Sequence, residues 1–367
     1  MKRAPFSPAR MAQRGAALLL AMVIVTLVAT MAASMVWQQW RSVQVEGSER
    51  VRSQAGWVLS GALDWARLIL KEDAKTGQQV DHLGEPWALP LAEARLSTFL
   101  AADKENNATD NDDSPEAFLS GKVEDAQGKF NLQNLMAGVE TPDPTKPNGP
   151  PQWKVNEAQL AVLQRLCENI GLSRNLADGI AQAYLKAGLT MRYQYERSGS
   201  MLTAIGGEQG RAQAPLMPVV YDDLGWLGLD AGTVEKLRPY VTILRGGTAQ
   251  GGDVTPVNVN TAPKEVIAAV VADLDIGRAG RLVQARQRKP FKSADEIRVE
   301  AGLRPEVSVE GLSVNSEYFE ISGRLRYEDN IIEQRHLVHR EQNGDVVVLH
   351  QSRFSGIDAA AQGTTPP

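Results

Sequence analysis

From Ala16 to Trp37 the chain reads AALLLAMVIVTLVATMAASMVW, without a single charged residue. A helix rises ~1.5 Å per residue, so this run spans about 33 Å, enough for the ~30 Å hydrocarbon layer of a bilayer. The stretch before it, MKRAPFSPARMAQRG, carries Lys2, Arg3, Arg10 and Arg14 and no acid. A positive flank stays cytoplasmic, which directs everything after the run outward. Trp37 and Trp40 close the run where aromatic rings favour the membrane interface. A cleaved secretory signal needs a shorter apolar core and a small-residue site, for which Ala32-Ala33-Ser34 is a candidate. A plain signal anchor also satisfies the charge pattern. A third reading rests on the junction Arg14-Gly15, where the basic leader meets the apolar run.

Beyond Trp40 the pattern turns amphipathic. Val51, Ala55, Val58, Ala62, Ala66 and Ile69 recur at steps of three or four, with Arg50, Arg52, Asp64, Arg67 and Lys71 on other faces. No proline occurs between Ala16 and Leu70, so one long helix is expected; two helices hinged near Gly47 or Gly56 are the alternative.

The rest of the chain is a folded, mildly acidic protein. The whole chain is 43% hydrophobic with a net charge of -5, which argues against wholesale disorder and against a strongly basic nucleic-acid binder. Cys167 is the only cysteine, so neither an intramolecular disulfide nor a cysteine-rich zinc cluster is available. Its neighbours Leu163, Leu166 and Ile170 make it a packing residue.

DKENNATDNDDSPE, containing Asp103–Asp113, reads as a solvated loop. VEDAQGKFNLQNL (123–135) reads as a strand pair turning at Ala126-Gln127-Gly128. TPDPTKPNGPP (141–151) is too rich in proline for helix or sheet and reads as a linker. From Trp153 to about Leu312 the pattern is helical. Ile170-Gly171-Leu172-Ser173 and Leu227-Gly228-Leu229-Asp230 each offer a glycine for a sharp turn and a cap for the next helix. Asp275-Ile276-Gly277 is a looser third copy, and Ser293 is a further cap. PVNVNTAP (256–263) is extended, with Thr261 expected to cap the helix that follows. Then alternation takes over. Phe319, Ile321, Leu325 and Tyr327 begin a meander that turns at Glu328-Asp329-Asn330 and at Asn343-Gly344 and ends near Gln351.

No catalytic constellation is present among HExxH, GxSxG, Walker and GxGxxG patterns. His336 and His339, three apart on a strand, face opposite sides and make a poor metal pair. The reading is α+β: a small antiparallel sheet on a long helix, interrupted by a helical insertion. A rival reading takes the helical hairpins as a membrane-anchored DNA-binding module for uptake, with Arg278, Arg281, Arg286, Arg288 and Lys289 as its basic face. The hairpins at Gly171 and Gly228 lack the second glycine that lets backbone approach phosphate, which weighs against nucleic acid.

The order of leader, long helix, short strands, helical hairpins, PVNVNTAPKEVIAAV, KPFKSADEI and terminal strands resembles the K subunits of bacterial type II secretion. These are the large minor pseudopilins, the general secretion pathway protein K family. LRPYVTIL (Leu237–Leu244) with VNVNTAP is the most distinctive part. The resemblance implies a pilin-like fold divided as follows: a cleaved cytoplasmic leader 1–15, a helix 16–73 with 16–37 in the membrane, a first α/β part 74–135, an all-α insertion 136–312, a second sheet part 313–356 and a free tail 357–367. It implies cleavage by prepilin peptidase between Gly15 and Ala16, with Leu18, Leu19, Leu20, Val23, Ile24 and Leu27 serving first lipid and then fibre contacts. Leu20 stands where most pilins carry Glu, an absence shared by tip subunits. Ala16 departs from the Phe or Met usual in major pilins, which leaves methylation of its amine open.

The implied partners are the I and J minor pseudopilins, with H and the major pseudopilin G beyond them, and the implied place is the inner membrane with the head in the periplasm. No catalytic activity and no required cofactor follow. Some members bind calcium in the insertion; the candidate ligands here are Glu196, Glu208, Asp222 and Asp223, a sparse set for an ion that takes six to eight oxygens.

Overall fold

The structure, a computed structural model, describes residues 13–75, 80–96, 117–136, 140–141, 152–244, 254–327 and 330–357. Most of the leader, the Asp103–Asp113 loop, the core of the proline-rich linker, Glu328-Asp329 and residues 358–367 lie outside these. Helix α1 covers Gln13–Lys75, unbroken at Gly47 and Gly56. The chain separates into two compact units, Met1–Val58 and Leu59–Pro367.

The second unit is built on a five-stranded antiparallel sheet. Its strands are β1 (Leu91–Arg95), β2 (Ala117–Asp125), β9 (Tyr318–Tyr327), β10 (Asn330–Arg340) and β11 (Val346–Ile357), side by side in that order. The terminal meander is therefore as the alternation indicates, although β11 runs six residues further than expected. Phe319, Ile321, Leu325 and Val338 turn toward α1, where Leu59, Leu63 and Leu70 are buried. Trp87 closes this core edge-on to Phe319, with ring centres 5.2 Å apart. Gly323 sits directly beneath the helix: a Cβ there would stand 3.1 Å from the Leu59 methyl. The apolar stripe on this half of α1 thus centres on Leu59, Leu63, Ala66 and Leu70, one position round from the expected Val58, Ala62 and Ile69.

The insertion starts earlier than position 136. β2 ends at Asp125, a tight turn covers Ala126–Gly128, and β3 (Phe130–Asn131) pairs in parallel with β6 (Val241–Thr242). Phe130, Leu132 and Leu135 then belong to the insertion's own core. The expected strand pair is absent because Leu132–Met136 forms a 3-10 turn instead of returning alongside β2. β4 (Glu140–Thr141) and β5 (Gln152–Trp153) pair across the ends of the proline-rich stretch.

Helices α2 (Glu157–Asn169) and α3 (Arg174–Glu196) form the first hairpin. Gly171, at φ 69°, makes the turn, and Ser173 accepts from the Asn175 amide as cap. Short helices α4 (Gly199–Ile205) and α5 (Gly207–Ala212) follow. In the second hairpin a 3-10 stretch, Tyr221–Leu227, leads through Gly228 (φ 85°) to α6 (Ala231–Leu237), capped by Asp230. The third joins α7 (Lys264–Val270) to α8 (Ile276–Arg288). There the left-handed residue is Asp273, with Gly277 already inside α8. Ser293 caps α9 (Ala294–Glu300) as its position indicated. β8 (Leu312–Ser313), paired in parallel with β7 (Val257–Asn258) from before α7, then leads the chain back to the sheet. The insertion covers the sheet face opposite α1, where Tyr318 meets Ala126 and Leu244.

Leu63 (1% exposed) and Leu68 (57%) lie on opposite sides of α1 and separate its two roles. Leu63→Ala should cost about 2–5 kcal/mol, lowering the thermal unfolding midpoint of the detergent-solubilised protein. Leu68→Ala should stay within about 0.5 kcal/mol of the parent.

Candidate functional site

The first unit presents a helix with no partner of its own. Leu18, Leu19, Leu20, Val23, Ile24 and Leu27 are all more than half exposed. Within Ala16–Trp37 the three hydroxyl side chains make no demand on solvent. Thr26 donates to the Met22 and Val23 carbonyls, Thr30 to Leu27 and Ser34 to Met31, each at 2.8–2.9 Å. Hydroxyls satisfied by their own helix are what an apolar surrounding requires. The helix is long and apolar enough to cross a membrane. Gly15 and Ala16 lie in its first described turn.

In the second unit α1 buries Leu59, Leu63 and Leu70 on one side and on the other leaves Trp65 and Leu68 exposed, 55% and 57%. Beside them Gly61 has no atom within 4 Å of where a Cβ would stand, so it forms an open notch. A helix lying on a sheet normally turns charge outward; large apolar groups there mark a contact surface. The flanking charges are already paired, Arg67 with Asp64 at 2.9 Å and Lys75 with Glu72 at 3.0 Å.

The joint between sheet and insertion is polar and buried. Asn258 (0% exposed) donates to the Asp81 carbonyl (3.1 Å), the Asp125 carboxylate (2.9 Å) and the Ser316 hydroxyl (3.0 Å). Asp125 also accepts from Ser316 and Thr261, both at 2.6 Å, and from the Gln127 amide. Burial raises the Asp125 carboxyl above its ordinary range. Asn260 exchanges two bonds with the Phe291 backbone. Thr261 is thus a ligand of Asp125; the cap of α7 is Pro263, without a side-chain bond. The sequence reading saw PVNVNTAP as extended but missed this clamp. The signal available was two asparagines alternating with two valines, Val257 and Val259 being buried as well.

The four candidate calcium ligands do not gather. Glu196 pairs with Arg192 (2.5 Å), Glu208 with Arg211 (2.6 Å) and Asp222 with Arg238 (2.9 Å). Asp223 accepts from the Val219 and Val220 amides. Among the described residues, the trio of carboxylates that does converge is Asp73, Asp81 and Glu85, and Arg340 already bridges two of them. These four residues therefore do not fit a calcium shell.

Two arginines of the third hairpin's basic face, Arg278 and Arg286, are engaged within the fold. Arg278 bonds Asp275, whose carboxylate also takes the Arg278 amide that a phosphate would need. Arg286 turns inward to the Val259, Ala262 and Thr261 carbonyls, and burial lowers it to about 10. The turn itself carries Asp273. His336 is buried under α1 with neither ring nitrogen bonded, while His339 stacks on Tyr318 across the strand. Cys167 is fully buried, its thiol pushed up to about 11.

Asn258→Ala should cost about 3 kcal/mol, because it leaves the Asp81 carbonyl and the Asn260 amide without their buried partner and takes one donor from Asp125. Thermal unfolding reads this out, and an unchanged midpoint would show that the joint does not hold the two parts.

Comparison with known proteins meets this geometry at both ends. Two family models described as type II secretion system, protein K, match residues 128–246 and 257–318, on either side of a short gap within the insertion. Type II secretion system protein K of Pseudomonas aeruginosa is 24% identical over 353 residues, 95% of each chain. The protein of the same name from Pectobacterium carotovorum is 26% identical, covering 95% of this chain and 98% of its own. That from Klebsiella pneumoniae is 27% identical over 88% and 93%. Among solved structures, the GspK-GspI-GspJ complex from the type 2 secretion system of enterotoxigenic Escherichia coli matches with a TM-score of 0.54. That match has 20% identity and spans 84% of this chain and 98% of the matched one, which speaks for the fold. Nearly the whole chain thus aligns with proteins named type II secretion system protein K, and the two family models of that description fall on its insertion and the segment that returns to the sheet.

Proposed function

We propose that this chain is a minor pseudopilin of the fibre tip. It is inserted in the inner membrane with its head in the periplasm, trimmed after Gly15 by prepilin peptidase, and joined to the I and J minor pseudopilins. The trimer then primes a short pseudopilus of the major pseudopilin G, with H between them, that drives exoproteins outward. The observation that carries this reading is a single helix with two unsatisfied apolar surfaces, the lipid-length run from Ala16 and the outward pair Trp65 and Leu68. The name of the matched solved complex, in which a K subunit stands with I and J, supports the choice of partners.

The tip position rests on charge. A carboxyl in the bilayer costs on the order of 3 kcal/mol, and a subunit carries one only if a neighbour's amine awaits it. Here no ionisable residue occurs between Gly15 and Arg41, and Leu20 stands at the position in question. A subunit with no one ahead of it has no amine to meet. The insertion on the far face of the sheet adds bulk that would block further growth beyond it.

Gly15→Leu should leave a precursor visibly larger on a gel in cells that contain prepilin peptidase, while the parent's mature product should begin at Ala16 on N-terminal sequencing. Unchanged mobility, or a first residue at Met1 or beyond Ser34, overturns the processing step. The double change Trp65→Ala and Leu68→Ala should abolish co-purification with the I and J subunits while leaving the unfolding midpoint in place.

A further inference from the structure

Where α1 ends, one guanidinium faces an excess of carboxylates. Arg340, at the end of β10 and nearly buried, donates to Asp73 at 2.9 Å and to Asp81 at 2.6 Å, and its second nitrogen also reaches the Ser316 carbonyl at 2.8 Å. Its plane lies over the Phe319 ring. Glu85 brings a third carboxyl within 4.8 Å of the other two. Glu85 bonds to the His82 amide (2.9 Å) and to the Trp87 indole N–H (2.8 Å), with no bond to Arg340. Both donors reach the same oxygen, Oε2. A protonated Glu85 keeps both, with Oε2 acting as the carbonyl oxygen of the neutral acid and the proton on Oε1.

We propose that Asp73, Asp81, Glu85 and Arg340 form a proton-operated latch. It holds the segment Asp81–Ala88 against the end of α1 and the rim of the sheet while Glu85 is neutral, and it loosens when that proton leaves. The latch is independent of the secretion reading and rests on this cluster alone.

The groups facing Glu85 set its sign. Asp73 comes from α1, Asp81 and His82 from its own segment and Arg340 from β10, with Asp125 beyond Asp81. The His82 ring accepts from the Gly84 amide at 3.1 Å. With Glu85 neutral, Arg340 leaves a single excess negative charge on Asp73 and Asp81. Ionisation doubles that excess in a site withdrawn from water. Burial first, then the two aspartates, push the Glu85 carboxyl up to about 7, against its two hydrogen bonds.

The folded chain therefore holds a proton between about pH 4.5 and about pH 7 that the unfolded chain has already released. This contribution to stability is complete below the lower value and is lost as pH rises through the upper one. Loosening the segment releases Trp87 from Phe319 and frees the last turn of α1.

The test compares the full-length protein in detergent with its Glu85→Gln variant, whose neutral amide mimics the protonated acid at every pH. The two unfolding midpoints should coincide at pH 5 and diverge by several degrees in favour of the variant at pH 8. Taking the difference removes titrations shared by both proteins, such as that of His336. In the native protein alone, hydrogen exchange of the 81–88 amides, corrected for intrinsic rate, should rise roughly tenfold between pH 6 and pH 8 and stay flat in the variant. Midpoint curves that run parallel overturn the latch, and so does pH-independent protection of these amides in the native protein.

Discussion

A carboxylate taken out of water must be surrounded by donors or it neutralises, and Asp125 meets that demand with groups from two separate parts of the chain. Thr261 and Asn258 come from the insertion, Ser316 from the segment entering β9 and Gln127 from the turn leaving β2. The complete set cannot be assembled by the sheet or by the insertion alone. The desolvation of one residue is therefore compensated only in the correct docking of both, which is how buried polar networks confer specificity even where their net stabilisation is small. The helices, the sheet and the exposed face of α1 are positioned relative to one another within the second unit through this joint and the apolar contacts beside it.

The cleft between sheet and insertion shows the contrast. Lys122 pairs with Glu124 and Arg335 with Glu333 on the sheet, while Arg238 pairs with Asp222 on the insertion. Among the described residues, the ion pairs lining the cleft close within their own side. Exposed pairs of this kind contribute little. The same habit holds among the calcium candidates, three of which pair with a nearby arginine while Asp223 takes two backbone amides. At the end of α1, Arg340 occupies the place among carboxylates that a metal would otherwise take.

Periodic features were legible in the sequence and singular ones were not. The lipid-length run, the long helix, the terminal meander and the caps at Ser173, Asp230 and Ser293 all follow from patterns of two, of three to four, or from one side chain reaching one amide. Misjudged elements are those in which tertiary partners override a local pattern. Phe130 and Leu132 alternate like a strand, yet the core of the insertion draws them into a short strand and a 3-10 turn. The stripe on α1 moved by one position because leucines fill the space over Gly323 better than the smaller Val58 and Ala62. The Asp125 clamp draws on residues more than a hundred positions apart, beyond any spacing rule.

The two apolar surfaces of α1 have different physical consequences. In lipid, the run from Ala16 gains nothing from association by the hydrophobic effect, because the tails around it are as apolar as its leucines; only close packing draws such helices together. Thr26, Thr30 and Ser34 bond to their own backbone and so provide no polar attraction to a neighbour. Such a helix is held in the membrane without being held to anything in it. Outside the bilayer the balance reverses, and every exposed leucine of that run becomes a reason to bind. A subunit built this way leaves lipid only if another helix covers it as it goes. On the head, Trp65 and Leu68 present the same demand on a face the sheet does not use.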